Sequence, residues 1–293
     1  MSAETISVPY LRRSVRRPVG RHLLRYVATY AILCAGGAGL MIPFLWMLST
    51  SLKPTDQVFT WPVQWIPDPI VWRNYAEALE AAPFVTFAVN SSVITSLSIV
   101  GNLTSSSLVA FSFARLRFPG RRVLFLLMLS TMMVPAWVTI IPTFLLFRAL
   151  GWLDSYKPLI VPAYTAVPFY VFLLRQFFLT IPTELEDAAR VDGCSTARIY
   201  ATIILPLAKP ALATVAIFSF MSHWNEFMLP LIYIRSQEKY TIALGLRMFQ
   251  GEYQTFYHLL MAASVMALLP CLVLFFFAQR LFIQGIVITG VKG

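Results

Sequence analysis

The segment IPTELEDAARVDGCSTARIYATIILPLAKP, Ile181–Pro210, is a polar interruption between two apolar runs. Pro182 followed by Thr183, with Glu186 three residues on, has the form of a capping box and predicts a helix start. Leu185, Ala188, Ala189 and Asp192 recur at helical spacing and are expected on one face, two of them small. Gly193 is expected to end that helix, because a positive φ costs glycine little. Ser195 then caps a second helix carrying Ile199, Tyr200 and Ile203, which Pro206 and Pro210 are expected to end. The segment therefore reads as a short helix, a sharp bend and a second short helix.

Outward from this loop the chain is strongly apolar. Of 293 residues 58% are hydrophobic and 12% charged, and the mean hydropathy is +0.71; an average soluble domain has about 25% charged residues. A soluble protein of this size lacks the interior to hide so much apolar surface. A membrane-crossing helix needs about 20 mostly apolar residues, and six segments qualify: roughly 26–52, 84–114, 123–150, 159–181, 211–234 and 258–283. The expected fold is all-α, a polytopic membrane protein with six transmembrane helices. Asn90, Ser91, Ser92, Thr95, Ser96, Ser98, Asn102 and Ser105–Ser107 make the second span polar, so it is expected to face other protein rather than acyl chains. The first apolar run is too long for a signal-peptide core and reads as an uncleaved anchor.

Lys and Arg collect on the cytoplasmic side of membrane proteins. With the N-terminus inside, 16 of the 23 basic residues fall inside, so both termini are expected to be cytoplasmic. The domains read as a basic cytoplasmic tail 1–25, a transmembrane domain 26–283 containing the loop 182–210, and a cytoplasmic C-terminal tail 284–293. The loop 182–209 dissents from the charge rule, carrying Glu184, Glu186, Asp187 and Asp192 against three bases. The first outer loop, 53–83, is broken by prolines and holds one short helix near Asn74–Glu80. The last, 235–257, carries Tyr240, Phe249, Tyr253 and Phe256, either a contact surface or a lid on its own helices.

The net charge of +10 reads as topology, not as a nucleic-acid surface. Cys34, Cys194 and Cys271 make neither a disulfide framework nor a zinc site. No metal, cofactor or catalytic residue is expected. The spacing Gly285 to Gly290 lacks the Lys-Ser/Thr of a phosphate-binding loop, so an ATPase is not expected in this chain. An acidic helix at a membrane surface, with small residues that permit close approach, fits another protein's groove; anionic headgroups would repel it from lipid. Glu226 is the one carboxylate inside an expected span, beside His223, Trp224 and Asn225, and such a charge marks a site. Three readings stay open: a solute path lined by Trp224, Asn225 and Glu226, a hydrogen bond within a helix break before Pro230, or pairing across a subunit interface. An ion-coupled secondary transporter would need inverted repeats and coupling residues at depth; a membrane enzyme would need a fuller constellation than Glu226 with His223.

Asp187-Ala188-Ala189, then Asp192-Gly193, Leu205-Pro206 and Pro210, resembles the "EAA" loop of ABC importer permeases. Asp187 stands where that loop has Glu, and Cys194 where it often has Ala. Ser51-Leu-Lys-Pro54, Asn90-Ser91, Trp224-Asn-Glu-Phe227 and the ending from Gln279-Arg280 to Gly290–Gly293 are similar to the carbohydrate-uptake branch. The resemblance, to the MetI-like binding-protein-dependent permeases, covers the chain from about residue 45 onward. It implies a bacterial or archaeal plasma-membrane subunit without ATPase of its own. Implied partners are a second homologous permease, an ABC ATPase dimer, an extracytoplasmic solute-binding protein and membrane lipid. In such assemblies Asp187, Ala188, Ala189, Asp192 and Gly193 would lie in a cleft of the ATPase, and the solute would be a sugar or oligosaccharide.

Overall fold

In the computed structural model residues 19–251 and 255–290 are described. The basic tail through Pro18, Tyr253 and Val291–Gly293 lie outside them. Among the described residues the regular elements are all helices, with one isolated antiparallel bridge between Gln250 and Thr255. Two units are distinct: residues up to Trp46, and 47–293. In the first, helix α1 (Val19–Ser51) exposes Tyr30, Ile32 and Leu40, as a helix in lipid does, its backbone bonds closed internally.

The second unit begins with the last turn of α1. Ser51 Oγ lies 2.8 Å from the hydroxyl of Tyr75, and Asn74 Nδ2 donates to the carbonyls of Ser51 (2.9 Å) and Lys53 (2.8 Å). The Ser51–Pro54 quartet is thus tied to α2 (Arg73–Ala81), the short helix expected in this loop. Helix α3 (Phe84–Arg115) is the hub. After it come α4 (Arg121–Ser130), extended by a 3-10 turn to Met133, and α5 (Ala136–Ala149). Helix α6 (Lys157–Ile160) leads through a 3-10 turn to α7 (Pro168–Phe178). Next are α8 (Glu184–Val191), α9 (Thr196–Ile199), α10 (Leu205–Leu207) and α11 (Lys209–Trp224). Helices α12 (Met228–Tyr233), α13 (Ile242–Gly245) and α14 (Tyr257–Gly290) complete the unit. The boundary read at residue 283 falls inside α14.

Several polar side chains of α3 bond neighbouring segments. Asn90 Nδ2 donates to the carbonyls of Glu238 and Tyr240, Ser91 Oγ accepts from the Ile242 amide, and Asn102 Nδ2 donates to Ser219 Oγ. Ser105 and Ser106 accept from the amides of Ala166 and Val167.

Among the described residues, four helices are long and apolar enough to cross a membrane, and two bent pairs bring the count to six if each pair is one span. The run 123–150, expected to be continuous, turns through 98° between Met133 and Ala136. Pro135 lacks an N–H and holds Val134 extended (φ −78°, ψ 118°), which breaks the helix. The fifth span, expected at 211–234, stops at Trp224 and resumes at Met228. On its other side it joins Thr196–Leu207 through a 78° bend at Ala208, with Pro210 in the first turn of α11, where its missing N–H costs nothing. Pro206, expected to end the second short helix, lies within it, after a π-helical turn Tyr200–Ile204.

Candidate functional sites: a surface helix and a cavity

Helix α8 is fixed to the unit from beneath. Glu186 and Ala189 point inward, while Leu185, Asp187, Ala188 and Asp192 are exposed and Val191 is 88% exposed. The face expected from spacing is therefore split, with Ala189 in the core and Ala188 outside. The rotation follows from Glu186. Its carboxylate lies 2.8 Å from Arg115 Nε, at the end of α3, and both side chains are almost wholly buried (6% and 5% exposed). The N–H does not lie along the line between them, so this is an ion pair, while Arg115 Nη2 donates to the carbonyls of Phe178 (2.6 Å) and Ile181. The expected capping box does not form: Thr183 is αR, makes no side-chain cap, and its carbonyl accepts from the amides of Glu186 and Asp187. A buried carboxylate needs a cation more than a helix end needs a cap.

Gly193 ends α8 as expected, at φ +79°. The Cys194 amide donates to the Ala189 carbonyl and the Gly193 amide to that of Arg190, the paired bonds of a Schellman motif. A β-carbon on Gly193 would meet nothing within 4 Å, so within this chain the demand is on backbone conformation alone. Ser195 caps the second helix by accepting from the Arg198 amide. Beyond it the Tyr200 hydroxyl lies 2.6 Å from Ser107 Oγ on α3, with its ring 5.1 Å from that of Phe111. Both arms of the loop are thus attached to α3.

The break at Asn225–Phe227 is where the intramembrane carboxylate sits. Glu226 Oε1 accepts from the amides of Met228 (2.9 Å) and Leu229 (3.1 Å), at the start of α12. A carboxylate at a helix N-terminus satisfies otherwise unpaired donors and faces the positive end of the dipole. The hydrogen bond within a helix break is therefore formed. Glu226 also lines a cavity of about 510 Å³, with Asn102, Thr139, Thr143, Tyr170 and His223. Trp224 turns away from it: the indole is 5% exposed, donates to the Ala267 carbonyl at 3.0 Å and stacks on Phe220. Asn225 donates to the Met221 carbonyl and is not among the lining residues. Of the three residues read as a solute path, the structure brings Glu226 alone to the cavity.

At the other end of α3, Asp154 (φ +54°) gathers the loop after α12. Its Oδ1 accepts from the amides of Arg235 and Ser236, and its Oδ2 from Ser236 Oγ and Lys239 Nζ (2.9 Å). Bonds from Ser236, first its side chain and then its amide, hold the Asp154 carboxyl well below the ordinary carboxylate range, with Lys239 and the Arg235 amide adding to the effect. Sequence reading missed Asp154; its sole signal was an acid beside a turn. The aromatics of this loop close inward: Phe249 is buried and Tyr240 packs 6.0 Å from Phe87. Phe256 is exposed. The lid reading describes Tyr240 and Phe249. A denser set of exposed aromatics lies in the loop between α1 and α2: Phe59, Trp65, Trp72 and Trp61, the last 90% exposed.

Residues 104–288 match the family of binding-protein-dependent transport system inner membrane components. The chain belongs to that family. The permease is 37% identical over 256 residues to the arabinooligosaccharides transport system permease protein AraQ of Halalkalibacterium halodurans, covering 86% of this chain and 91% of that one. It is 34% identical over 256 residues to the diacetylchitobiose uptake system permease protein DasC of Streptomyces coelicolor, covering 87% and 93%. A chain from the crystal structure of a bacterial ABC transporter importing the acidic polysaccharide alginate superposes with a TM-score of 0.79 at 25% identity, over 93% of this chain and 99% of that one. The protein is a membrane-embedded ABC importer permease, a transport component and not a catalyst, and these matches do not favour the ion-coupled alternative.

Proposed function

We propose that the permease imports a sugar or oligosaccharide across the plasma membrane, driven by an ABC ATPase dimer that grips α8. The supporting relatives carry arabinooligosaccharides and diacetylchitobiose by name. In this reading both termini and α8 are cytoplasmic, and a second homologous permease completes the path. An extracytoplasmic solute-binding protein delivers the solute on the far side, where the exposed aromatics around Trp61 form a contact surface. The observation that carries the reading is the mounting of α8. Its inner face is anchored to α3 by Glu186 and Arg115, its end is set by Gly193, and Asp187, Ala188, Val191 and Asp192 are left uncovered. A rigid, presented helix transmits a push; a helix that floated on lipid would not.

ATP-driven closure of the ATPase dimer would move α8 and, through Arg115 and Tyr200, α3. Because α3 contributes Asn102 to the cavity, the motion reaches the solute path as a rigid-body switch. Glu226, His223 and the hydroxyls of Thr139 and Thr143 supply hydrogen-bonding groups suited to a polyhydroxylated solute. The test is co-purification with the neighbouring ATPase and second permease, followed by ATP turnover with the loaded binding protein. Turnover stimulated by a sugar-loaded binding protein is expected. Uptake by the permease alone in vesicles carrying an ion gradient would refute the assignment.

A further inference from the structure

Three guanidiniums surround a second cavity, of about 330 Å³, whose walls are completed by Phe113, Phe125 and Leu126. Arg121 and Arg122 stand in the first turn of α4 and Arg175 in the last turn of α7. The cavity lies at the α8 end of the unit, since Phe113 and Arg115 share the last turn of α3 and Arg115 reaches Phe178, Ile181 and Glu186. Arg175 is fixed in place: Nε donates to the Phe113 carbonyl at 3.2 Å and the guanidinium lies 4.3 Å from the centre of the Phe125 ring. Arg121 spends one donor on the Leu116 carbonyl at 3.0 Å. Each guanidinium has five N–H donors, so most remain for a ligand. Among the described residues, no carboxylate lies within 4.0 Å of any of the three.

Three like charges around one cavity repel unless an anion sits between them. The backbone adds to the pull. Gly120, left-handed at φ +75°, precedes α4 and has no side chain to cap it, and Arg121 and Arg122 on the cavity wall belong to the first turn, the positive end of that helix. The neighbouring surface is apolar, with Val123, Leu124 and Leu127 of α4 all exposed. Guanidiniums beside an exposed apolar helix suit an anion with a hydrocarbon tail. We propose that this cavity binds the phosphodiester headgroup of an anionic membrane lipid, with its acyl chains along α4. A bare phosphate ion would use the guanidiniums and leave the apolar face idle. The bound lipid would bridge α4 and α7 next to the mounting of α8.

The intact importer, reconstituted in phosphatidylcholine nanodiscs doped with phosphatidylglycerol and stripped by mild detergent, is weighed by native mass spectrometry. Phosphatidylglycerol is expected to be retained in preference to phosphatidylcholine. Because each basic residue near a membrane surface contributes attraction of similar size, R122Q and R121Q should each weaken retention by about fivefold. R122Q is the cleaner variant, since Arg122 is exposed. Equal retention of the two lipids, or unchanged retention in both variants, would overturn the proposal. So would displacement of the lipid by millimolar inorganic phosphate, which would show that the site reads the anion and ignores the tail.

Discussion

At position 193 the backbone, and not space, sets the identity of the residue. With φ at +79° and open surroundings, an L side chain costs about 1–2 kcal/mol, least for Asn. Gly193→Asn should therefore retain uptake, while Gly193→Val should abolish it and leave the amount of membrane-inserted protein unchanged. Uptake assays paired with immunoblots of the membrane fraction check both. Gly245 answers to the opposite constraint. Its backbone is ordinary, but a β-carbon there would fall 2.2 Å from the Phe87 ring, so Gly245→Ala should lower thermal stability by about 1–3 kcal/mol and Phe87→Leu should restore part of it. Asp154 sets a pH dependence. Its carboxyl is held low in the fold, so its contribution is complete above the ordinary value near pH 4 and is lost as pH falls further, towards the depressed folded value. Limited proteolysis of the segment from Arg235 to Phe249 should accelerate below about pH 4, and Asp154→Asn should be cleaved faster at neutral pH with a flatter acid response.

On the scale of elements, the pair Arg115–Glu186 joins α8 to α3. Removing one partner of a buried ion pair leaves an uncompensated charge and costs about 3–5 kcal/mol, whereas replacing both by apolar residues is often neutral. Glu186→Ala and Arg115→Ala should each uncouple ATP turnover from uptake, and Glu186→Leu with Arg115→Met should be more stable than either. Equal and additive losses, measured in a double-mutant cycle by thermal unfolding, would contradict the link. This element also marks the limit of sequence reading. Gly193 and Ser195 were legible because their signals are local, a backbone demand and a cap. Glu186 matched a local pattern too, but its real partner lies on another helix, and a buried carboxylate follows the cation rather than the spacing. The bend at Pro135 was hidden because hydropathy averages over a run and does not register direction. Trp224 entered one of three open readings, a solute path, through its neighbour Glu226, yet its N–H found the Ala267 carbonyl on α14, a partner 43 residues away that no local spacing shows.

For the whole molecule, apolar composition and the Asp187–Gly193 loop sufficed for the family and for the all-helical membrane fold, because both are carried by many residues. The cavity was less legible. The cavity takes Asn102 from α3, Thr139 and Thr143 from α5, and Glu226 from the break after α11, and no spacing in the chain announces that convergence. Glu226→Gln keeps an acceptor for the α12 amides but removes the charge. If the carboxylate serves only as a helix cap, uptake should fall little; if it meets the solute, the apparent affinity for the solute should fall by about tenfold or more, as for a lost charged hydrogen bond. The most direct measurement of the central proposal uses a photo-cross-linking residue at Val191, an exposed position at the end of α8, in the intact importer. Capture of the ATP-hydrolysing subunit, with a yield that changes between nucleotide-free and ATP-trapped states, is expected. Capture of lipid alone, in both states, would contradict it.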